Sequence, residues 1–288
     1  MSLASNKKGI LFLVFAVLCF SIMNGVTKHL AETYNVITLN MFRYWFFALT
    51  IILINSKNKT AIMQTANSKR KLIQVFRGSL LAVQMCFAHY CFLELGLIET
   101  SAIFAVSPLF VTALAIIFLH EKLNLHRTIA ISAGFIGVLI ILRPGLDVFD
   151  PISYIALACA FGYASYQILT RFVSYYDSAG TSFFYTGISG ALILSLVGPF
   201  FFTDLENFDW LLILIISFLG TSAHYFVIKA YQLSPASILQ PFNYLQLVFN
   251  AIIGIIFFGE SIEIAVLIGS LIVVLAGLYS FKSTPRDN

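Results

Sequence analysis

Residues 88–102 (AHYCFLELGLIETSA) and residues 223–237 (AHYFVIKAYQLSPAS) begin with the same tripeptide and align without a gap. Their first residues lie 135 positions apart in a chain of 288 residues. Each copy falls late in one apolar segment and leads directly into the next apolar segment. The pattern therefore predicts an internal duplication of the chain.

The composition places this duplicated chain in a membrane. Hydrophobic residues make up 59% of the sequence, charged residues only 10%, and the mean hydropathy is +0.91. So little charge cannot cover the surface of a soluble domain, which excludes a soluble protein. The apolar residues come in blocks of about 20, each long enough to cross roughly 30 Å of hydrocarbon as a helix. The sequence therefore predicts an all-α integral membrane protein.

Ten transmembrane helices are predicted from these blocks. The loops between them are short, except for a polar loop at 56–71, and none leaves room for a soluble domain. The predicted spans are residues 9–29, 36–55, 72–94, 100–119, 126–143, 151–170, 180–203, 210–231, 235–258 and 262–281.

The distribution of Lys and Arg predicts the orientation of these spans. Cations cluster before the first span, in the loop at 56–71 and in the tail, whereas the opposite loops carry mainly acids. Because cytoplasmic loops are enriched in Lys and Arg, we predict a multi-pass protein of the cell inner membrane with both termini cytoplasmic. The net charge of +4 is thus a topology signal. The expected partners are the lipid bilayer and a small-molecule substrate, and no nucleic acid.

The number of spans between the two copies determines the relative direction of their helices in the membrane. The two copies lie five spans apart, and an odd number of spans reverses the direction of the equivalent helix. Two further pairings agree, because Asn24 matches Gln167 at a distance of 143 residues and Gly137 matches Gly277 at 140. We therefore predict two inverted five-helix repeats, residues 1–145 and residues 146–288. Inverted repeats of this kind occur in secondary transporters, which bind substrate near the midplane where the halves meet.

Four segments resemble the EamA-type transporters of the drug/metabolite transporter superfamily. They are the Arg77-Gly78 pair, residues 108–121 (PLFVTALAIIFLHE), the Arg143-Pro144-Gly145 exit of the fifth span, and the segment from Pro241 to Gly259-Glu260. The resemblance extends over essentially the whole chain. It implies a ten-helix alternating-access carrier whose cavity is lined by spans 1, 3, 4, 6, 8 and 9. Similar proteins carry amino acids, riboflavin, S-adenosylmethionine and cationic drugs.

The repeated histidines, His89 and His224, are the first candidates for binding. An imidazole inside a spanning helix is costly unless it faces protein or water, and it can exchange a proton near neutral pH. One interpretation is that both line the cavity, at opposite levels, and bind substrate or a coupling proton. The alternative is that each donates a hydrogen bond to a neighbouring helix and only packs.

Neutral polar side chains are the second group of candidates. Positions 243, 246 and 250 of the ninth span follow a helical stripe, so one face of that helix offers amide donors and acceptors to a ligand. Such groups suit a polar aromatic or zwitterionic solute, and hydrogen bonding between helices is the alternative. The candidates are Asn24, Tyr90, Tyr163, Gln167, Tyr225, Gln240, Asn243, Tyr244, Gln246 and Asn250.

Charged residues are expected to serve structure more than transport. Lys28 and Arg171 lie at helix ends and are interpreted as anchors that extend to the interface. Arg77 is expected to reach lipid headgroups. Arg43 lies deeper in its span and needs a carboxylate, a set of carbonyl oxygens, water or an anionic substrate, and a structural partner is favoured because outer-side acids are close in sequence. Glu121 and Glu260 end the fourth and ninth spans and are expected to cap a following turn or helix.

An enzyme is not supported by the spacing of the polar residues. His120 and His126 are six residues apart, not the four of an HExxH metal site, and the four cysteines lack CxxC spacing. We therefore predict no catalytic residue, no metal and no cofactor. The expected function is secondary transport of a neutral or zwitterionic metabolite by alternating access, coupled to protons if His89 or His224 titrates. A passive channel or facilitator is the alternative function. For the oligomeric state, the sequence is compatible with a monomer and with a homodimer.

Overall fold

The computed structural model describes residues 3–55, 59–118, 125–142, 150–206 and 208–282, which form helices and no strand. A short 3-10 turn at Gly198–Phe201 follows the ninth helix. In chain order the α-helices are α1 (Leu3–Ala31), α2 (Val36–Asn55), α3 (Lys59–Ala66), α4 (Lys71–Glu94), α5 (Gly96–Phe104), α6 (Ser107–Phe118), α7 (Leu125–Leu142), α8 (Ile152–Val173), α9 (Ala179–Val197), α10 (Asp209–Leu233), α11 (Ala236–Asn243), α12 (Leu245–Phe258) and α13 (Ile264–Lys282).

Eight helical segments of the described residues are long and apolar enough to cross a membrane. They correspond to the predicted spans one to four and six to nine. Two shorter apolar helices, Ser132–Leu142 and Ile264–Ala276, lie where the fifth and tenth spans are predicted. The all-helical membrane class is therefore confirmed, and the full count of ten stays a prediction.

The fourth and ninth spans differ from the continuous helices predicted for them. The fourth consists of α5 and α6, separated at residues 105–106, and the ninth consists of α11 and α12, separated at Tyr244. Pro108 is the second residue of α6, where a missing N–H is tolerated, and a proline disfavours helix in the residue before it. The polar loop at 56–71 also differs, because it contains the short helix α3.

The helices of the two chain halves pack between one another. The most extensive contacts join α1 to α10, α7 to α13, and α4 to both α8 and α9. At the crossing of α7 and α13, a Cβ added to Gly137 would lie 2.9 Å from the Gly269 carbonyl oxygen, and one added to Gly269 would lie 2.6 Å from the Gly137 carbonyl oxygen. Small residues let the two backbones approach, as is common between membrane helices.

We expect Gly269→Leu to destabilise the protein by about 2 kcal/mol, because the added side chain must push two backbones apart. Thermal unfolding in detergent micelles measures the effect. Gly180→Leu is the matched control, since an added Cβ there meets only the Ser178 Oγ atom at 3.6 Å. Equal stability of the two variants would contradict a tight crossing of α7 and α13.

Two cations predicted to reach the membrane surface are instead buried, so those predictions are wrong. Arg77 is fully buried because α8 and α9 cover it and supply acceptors, among them the Thr170 hydroxyl at 2.9 Å. Arg171 is also buried, and its Nη1 atom donates to the Tyr231 carbonyl oxygen at 2.9 Å. Both guanidinium groups therefore join helices together.

Lys28, also predicted to be a surface anchor, forms an ion pair with Glu260 in the other half of the chain. The Glu260 carboxylate accepts further hydrogen bonds from the backbone N–H groups of Leu97 and Ile98, at 2.9 and 2.8 Å. A negative charge at the first turn of a helix, here α5, is electrostatically favourable. Glu260 is thus a capping residue, as expected, but it caps a helix distant in sequence. We call the ion pair and the two N–H contacts the latch.

Candidate functional site

A cavity lies between α1, α4, α8 and the two broken spans. Both helix breaks border it, at Ala105 and at Tyr244. Broken helices at matching places of two chain halves are typical of transporter substrate sites. Among the described residues, no lining side chain carries a carboxylate, an ammonium or a guanidinium group. The polar lining residues are Asn24, Gln84, His89, Ser101, Ser107, Tyr163, Gln167, Asn243, Tyr244, Gln246 and Asn250.

A chain of hydrogen bonds fixes the tautomer of His89. Arg43 Nη1 donates to Asn40 Oδ1 at 2.7 Å, so the amide nitrogen of Asn40 faces the other way. That nitrogen donates to the Val36 carbonyl oxygen at 2.7 Å and contacts His89 Nδ1 at 3.0 Å. Nδ1 is therefore an acceptor, and the proton of the neutral ring is on Nε2. His89 Nε2 has no partner among the described residues and is free to donate to a ligand in the cavity.

Two acceptor oxygens complement this donor. Gln84 Oε1 and Asn250 Oδ1 are buried and have no hydrogen-bond partner among the described residues. The Asn250 amide is oriented by its other end, since Nδ2 donates to Ser101 Oγ at 2.7 Å. A ligand that accepts one hydrogen bond and donates two would satisfy all three groups, and leaving them unpaired would cost about 1–3 kcal/mol each.

Amides on α8 and α11 form a second network at the cavity. Gln167 Oε1 accepts from the Tyr231 hydroxyl and from Gln240 Nε2, the latter at 3.3 Å. Gln240 in turn accepts from Asn243 Nδ2 at 3.0 Å. Gln167 and Asn243 line the cavity, whereas Gln240 and Tyr231 lie behind them and hold them in place.

Aromatic rings form the apolar part of the lining. Phe92 and Phe104 lie 5.9 Å apart between centroids, and Phe20 and Tyr163 contribute further ring faces. Stacking on such faces favours flat ligands. The cavity therefore combines ring faces with neutral donors and acceptors.

His224 and Tyr225 lie outside the cavity, against the prediction. His89 comes 18 residues after the first residue of α4 (Lys71), and His224 comes 15 residues after the first residue of α10 (Asp209). A difference of three residues turns a side chain by about 60° around the helix and moves it about 4.5 Å along the axis. The two tripeptides thus occupy different positions on their helices, and α10 supplies no residue to the cavity.

Tyr90 also lies outside, with 36% of its surface exposed, and Tyr225 is 37% exposed. Of the twelve predicted binding residues, four are absent from the lining: Tyr90, His224, Tyr225 and Gln240. Gln84, Ser101 and Ser107 line the cavity but were not predicted. Gln84 carried the same signal as Gln167, an amide inside an apolar span, whereas the serines had no distinguishing pattern.

Arg43 has a structural partner, since its Nη1 atom donates to Asn40 Oδ1 at 2.7 Å, but that partner is an amide and not the outer-side acid that was favoured. No acid lies within ion-pair distance of its guanidinium among the described residues. The predicted cap Glu121, the Arg143-Pro144-Gly145 exit and the tail beyond residue 282 lie outside the described residues. No group of three or more His, Cys, Asp or Glu side chains within the described ranges is placed to hold a metal ion.

The latch lies one helical turn beyond the cavity. Lys28 follows the lining residue Asn24 by four positions on α1, and Leu97 precedes the lining residue Ser101 by four positions on α5. Gly96, with φ of +83°, adopts the left-handed conformation that glycine tolerates and begins α5 beside Glu260. The latch therefore joins α1, α5 and the residues after α12 at one end of the bundle, which we call the latch end.

Comparison with known proteins gives a consistent result. The model of the EamA-like transporter family matches residues 7–143 and again residues 151–281. The chain is 26% identical to the S-adenosylmethionine uptake transporter of Rickettsia felis, over 99% of this chain and 96% of that protein. It is 28% identical to the riboflavin transporter of Vibrio cholerae, over 93% of this chain and 91% of that protein.

A solved crystal structure shares the fold, with a TM-score of 0.66 and 14% sequence identity. The superposition covers 95% of this chain and 96% of the other.

Proposed function

Because the chain belongs to the EamA-like transporter family, we propose that it is a secondary carrier that moves a small neutral or zwitterionic metabolite by alternating access. The observation that carries the proposal is the pair of broken helices, α5/α6 and α11/α12, on either side of one cavity. We propose further that ten helices form two inverted repeats, residues 1–145 and residues 146–288. Both termini then lie on the cytoplasmic side of the inner membrane, as the Lys and Arg distribution predicts.

The chemistry of the cavity favours a flat, uncharged substrate. Its lining offers ring faces, one imidazole donor and amide acceptors, and contains no carboxylate to compensate a cation. A flavin-like vitamin has a planar ring with an imide N–H and carbonyl oxygens, which fits this set. The sulfonium of S-adenosylmethionine would find only ring faces for its charge. We therefore rank a riboflavin-type vitamin above S-adenosylmethionine or an amino acid.

Uptake into liposomes tests both the activity and the ranking. Purified protein should carry riboflavin with saturable kinetics that unlabelled riboflavin inhibits and S-adenosylmethionine inhibits less. Flux that rises linearly with concentration would favour the passive channel instead. The latch supports a carrier, because it joins the two chain halves beside the cavity through contacts that can break when the halves move apart.

The geometry around His89 argues against the predicted proton coupling. A second proton would have to occupy Nδ1, which already accepts from Asn40 and lies 3.5 Å from Arg43 Nη1. We propose that His89 acts as a neutral hydrogen-bond donor. If transport depends on pH in the wild type and loses that dependence in the double variant His89→Gln and His224→Gln, the coupling hypothesis is correct and this proposal is wrong.

Gln84→Met should weaken substrate binding about tenfold, because it removes a free acceptor at nearly constant volume, worth roughly 1.4 kcal/mol. Asn243→Ala should have a similar effect. Thermal shift of the purified protein against riboflavin measures the dissociation constant. Tyr90→Phe is the matched control, since Tyr90 neighbours His89 in sequence but lies outside the cavity. If Tyr90→Phe loses as much affinity for riboflavin as Gln84→Met does, the binding site lies elsewhere.

A further inference from the structure

A second, smaller chamber lies between α2 and α10 and shares no residue with the central cavity. Its lining consists of Arg43, Tyr44 and Phe47 from α2, and Ser217, Gly220, Thr221 and His224 from α10. Its free space is about that of a single water molecule, so it admits one small ion or one water and excludes a metabolite.

Polar atoms without partners converge on this chamber. Those with no hydrogen-bond partner among the described residues are Arg43 Nε, Tyr44 Oη, Ser217 Oγ, Thr221 Oγ1, and both ring nitrogens of His224. Each of these side chains is at most 7% exposed. Native proteins leave few buried polar groups unpaired, so a cluster of this size indicates a ligand.

All of these side chains can donate a hydrogen bond, and the chamber has no carboxylate. Arg43 is its only permanent charge, and no acid pairs with it among the described residues. One edge of the guanidinium is already engaged by Asn40, and the other edge faces α10, where a Cβ on Gly220 would lie only 2.8 Å from Nη2. An unpaired buried guanidinium ringed by hydroxyl donors is the chemistry of an anion site.

We infer that this chamber binds a small inorganic monovalent anion of chloride size, which acts as the counter-ion of Arg43. The bound anion would accept from the Arg43 Nε–H, from the Ser217 and Thr221 hydroxyls and from a ring N–H of His224. This role gives His224 a function inside the membrane although it does not reach the central cavity. It also links the anion to the substrate site, because Arg43 orients Asn40 and Asn40 orients His89.

Thermal unfolding in chloride and in gluconate at constant ionic strength tests the inference without any transport assay. Chloride should raise the melting temperature of the wild type by roughly 3 °C, with saturation, as mass action requires. Thr221→Val and Arg43→Lys should lose most of this rise. Ser189→Ala is the matched control, because Ser189 is a buried serine outside the chamber, and it should keep the rise.

If chloride does not raise the melting temperature of the wild type, the inference is overturned and the chamber holds only water. A rise that does not saturate, or that Thr221→Val keeps in full, would show a general salt effect and overturn it equally. Bromide-soaked crystals give a second readout, in which an anomalous peak is expected within hydrogen-bond distance of Arg43. Failure of riboflavin transport would contradict the proposed function and would leave these results unaffected.

Discussion

Glu260→Gln is expected to shift the protein roughly a hundredfold toward a conformation that is open at the latch end. The carboxylate of Glu260 accepts from Lys28, Leu97 and Ile98 at once, and so ties α12 to α1 and to the first turn of α5. Hydrogen bonds to charged groups contribute about 1.5–3 kcal/mol each, and glutamine retains one acceptor oxygen. A net loss of about 3 kcal/mol corresponds to the hundredfold change.

Spin labels on the exposed residues Thr33 and Ser261, in a chain whose native cysteines are replaced, would measure the opening as a longer distance distribution. Glu32→Gln is the control, since Glu32 is an exposed acid that lies 3.9 Å from His29. Lys28→Met should open the latch less than Glu260→Gln does, because it leaves both N–H contacts of α5 intact. An unchanged distance distribution in Glu260→Gln would show that other contacts hold this end closed.

The apolar blocks were sufficient to predict the class of fold. Each spanning helix must satisfy its own backbone in hydrocarbon, so length and hydropathy determine its existence almost alone. The breaks in the fourth and ninth spans were not predicted, because hydropathy and length show that a segment can span the membrane but not whether its helix is continuous. Pro108 was the one local signal for the break between α5 and α6, since proline restricts the residue before it.

The candidate site was predictable where one span carried a stripe of polar residues, although that span is broken at Tyr244. Asn243, Gln246 and Asn250 line the cavity as their spacing predicts. His224 shows the limit of the method, because a repeated tripeptide fixes neither the start of a helix nor its rotation. The difference of three residues between the two copies appears only when the helix starts are known.

The sequence also did not predict that these cations are buried. Distance from a membrane edge predicts whether a side chain can reach water, but not whether another helix covers it. Arg77 is the clearest case, because four acceptors from α4, α8 and α9 surround a guanidinium that the sequence alone places near the interface. Its contribution to stability follows from those contacts.

Arg77→Met is expected to destabilise the protein by about 3–5 kcal/mol, more than any other single change considered. Its Nη atoms donate to the hydroxyls of Thr170 and Thr186, both at 2.9 Å, and to the Ser182 carbonyl oxygen at 2.7 Å. It also donates to Gln74 Oε1 at 3.0 Å. Removing one member of a buried charged network leaves several desolvated acceptors unpaired, which accounts for a loss of this size.

The same network identifies the compensating charge. Gln74 Nε2 donates to Asp177 Oδ2 at 2.9 Å, so the cation and the nearest acid are joined through one amide. Arg77→Lys should therefore destabilise the protein less than Arg77→Met does. It keeps the charge, although it lacks the planar guanidinium that reaches all four acceptors. Gln74→Leu should fall between the wild type and Arg77→Met in stability, because it removes the amide that joins Arg77 to Asp177 but leaves the contacts of Arg77 with Thr170, Ser182 and Thr186.

Reversible unfolding in mixed micelles with increasing denaturing detergent measures these free energies. Arg70→Met is the matched control, since Arg70 is an exposed arginine whose guanidinium lies 4.6 Å from the ring centroid of Tyr176, a contact worth about 1 kcal/mol or less. If Arg77→Met lowers the free energy of unfolding no more than Arg70→Met does, the buried network contributes little to stability. The packing of α4 against α8 and α9 is then apolar in origin. If the free energy of unfolding increases from Arg77→Met to Arg77→Lys to the wild type, the guanidinium itself holds the three helices together.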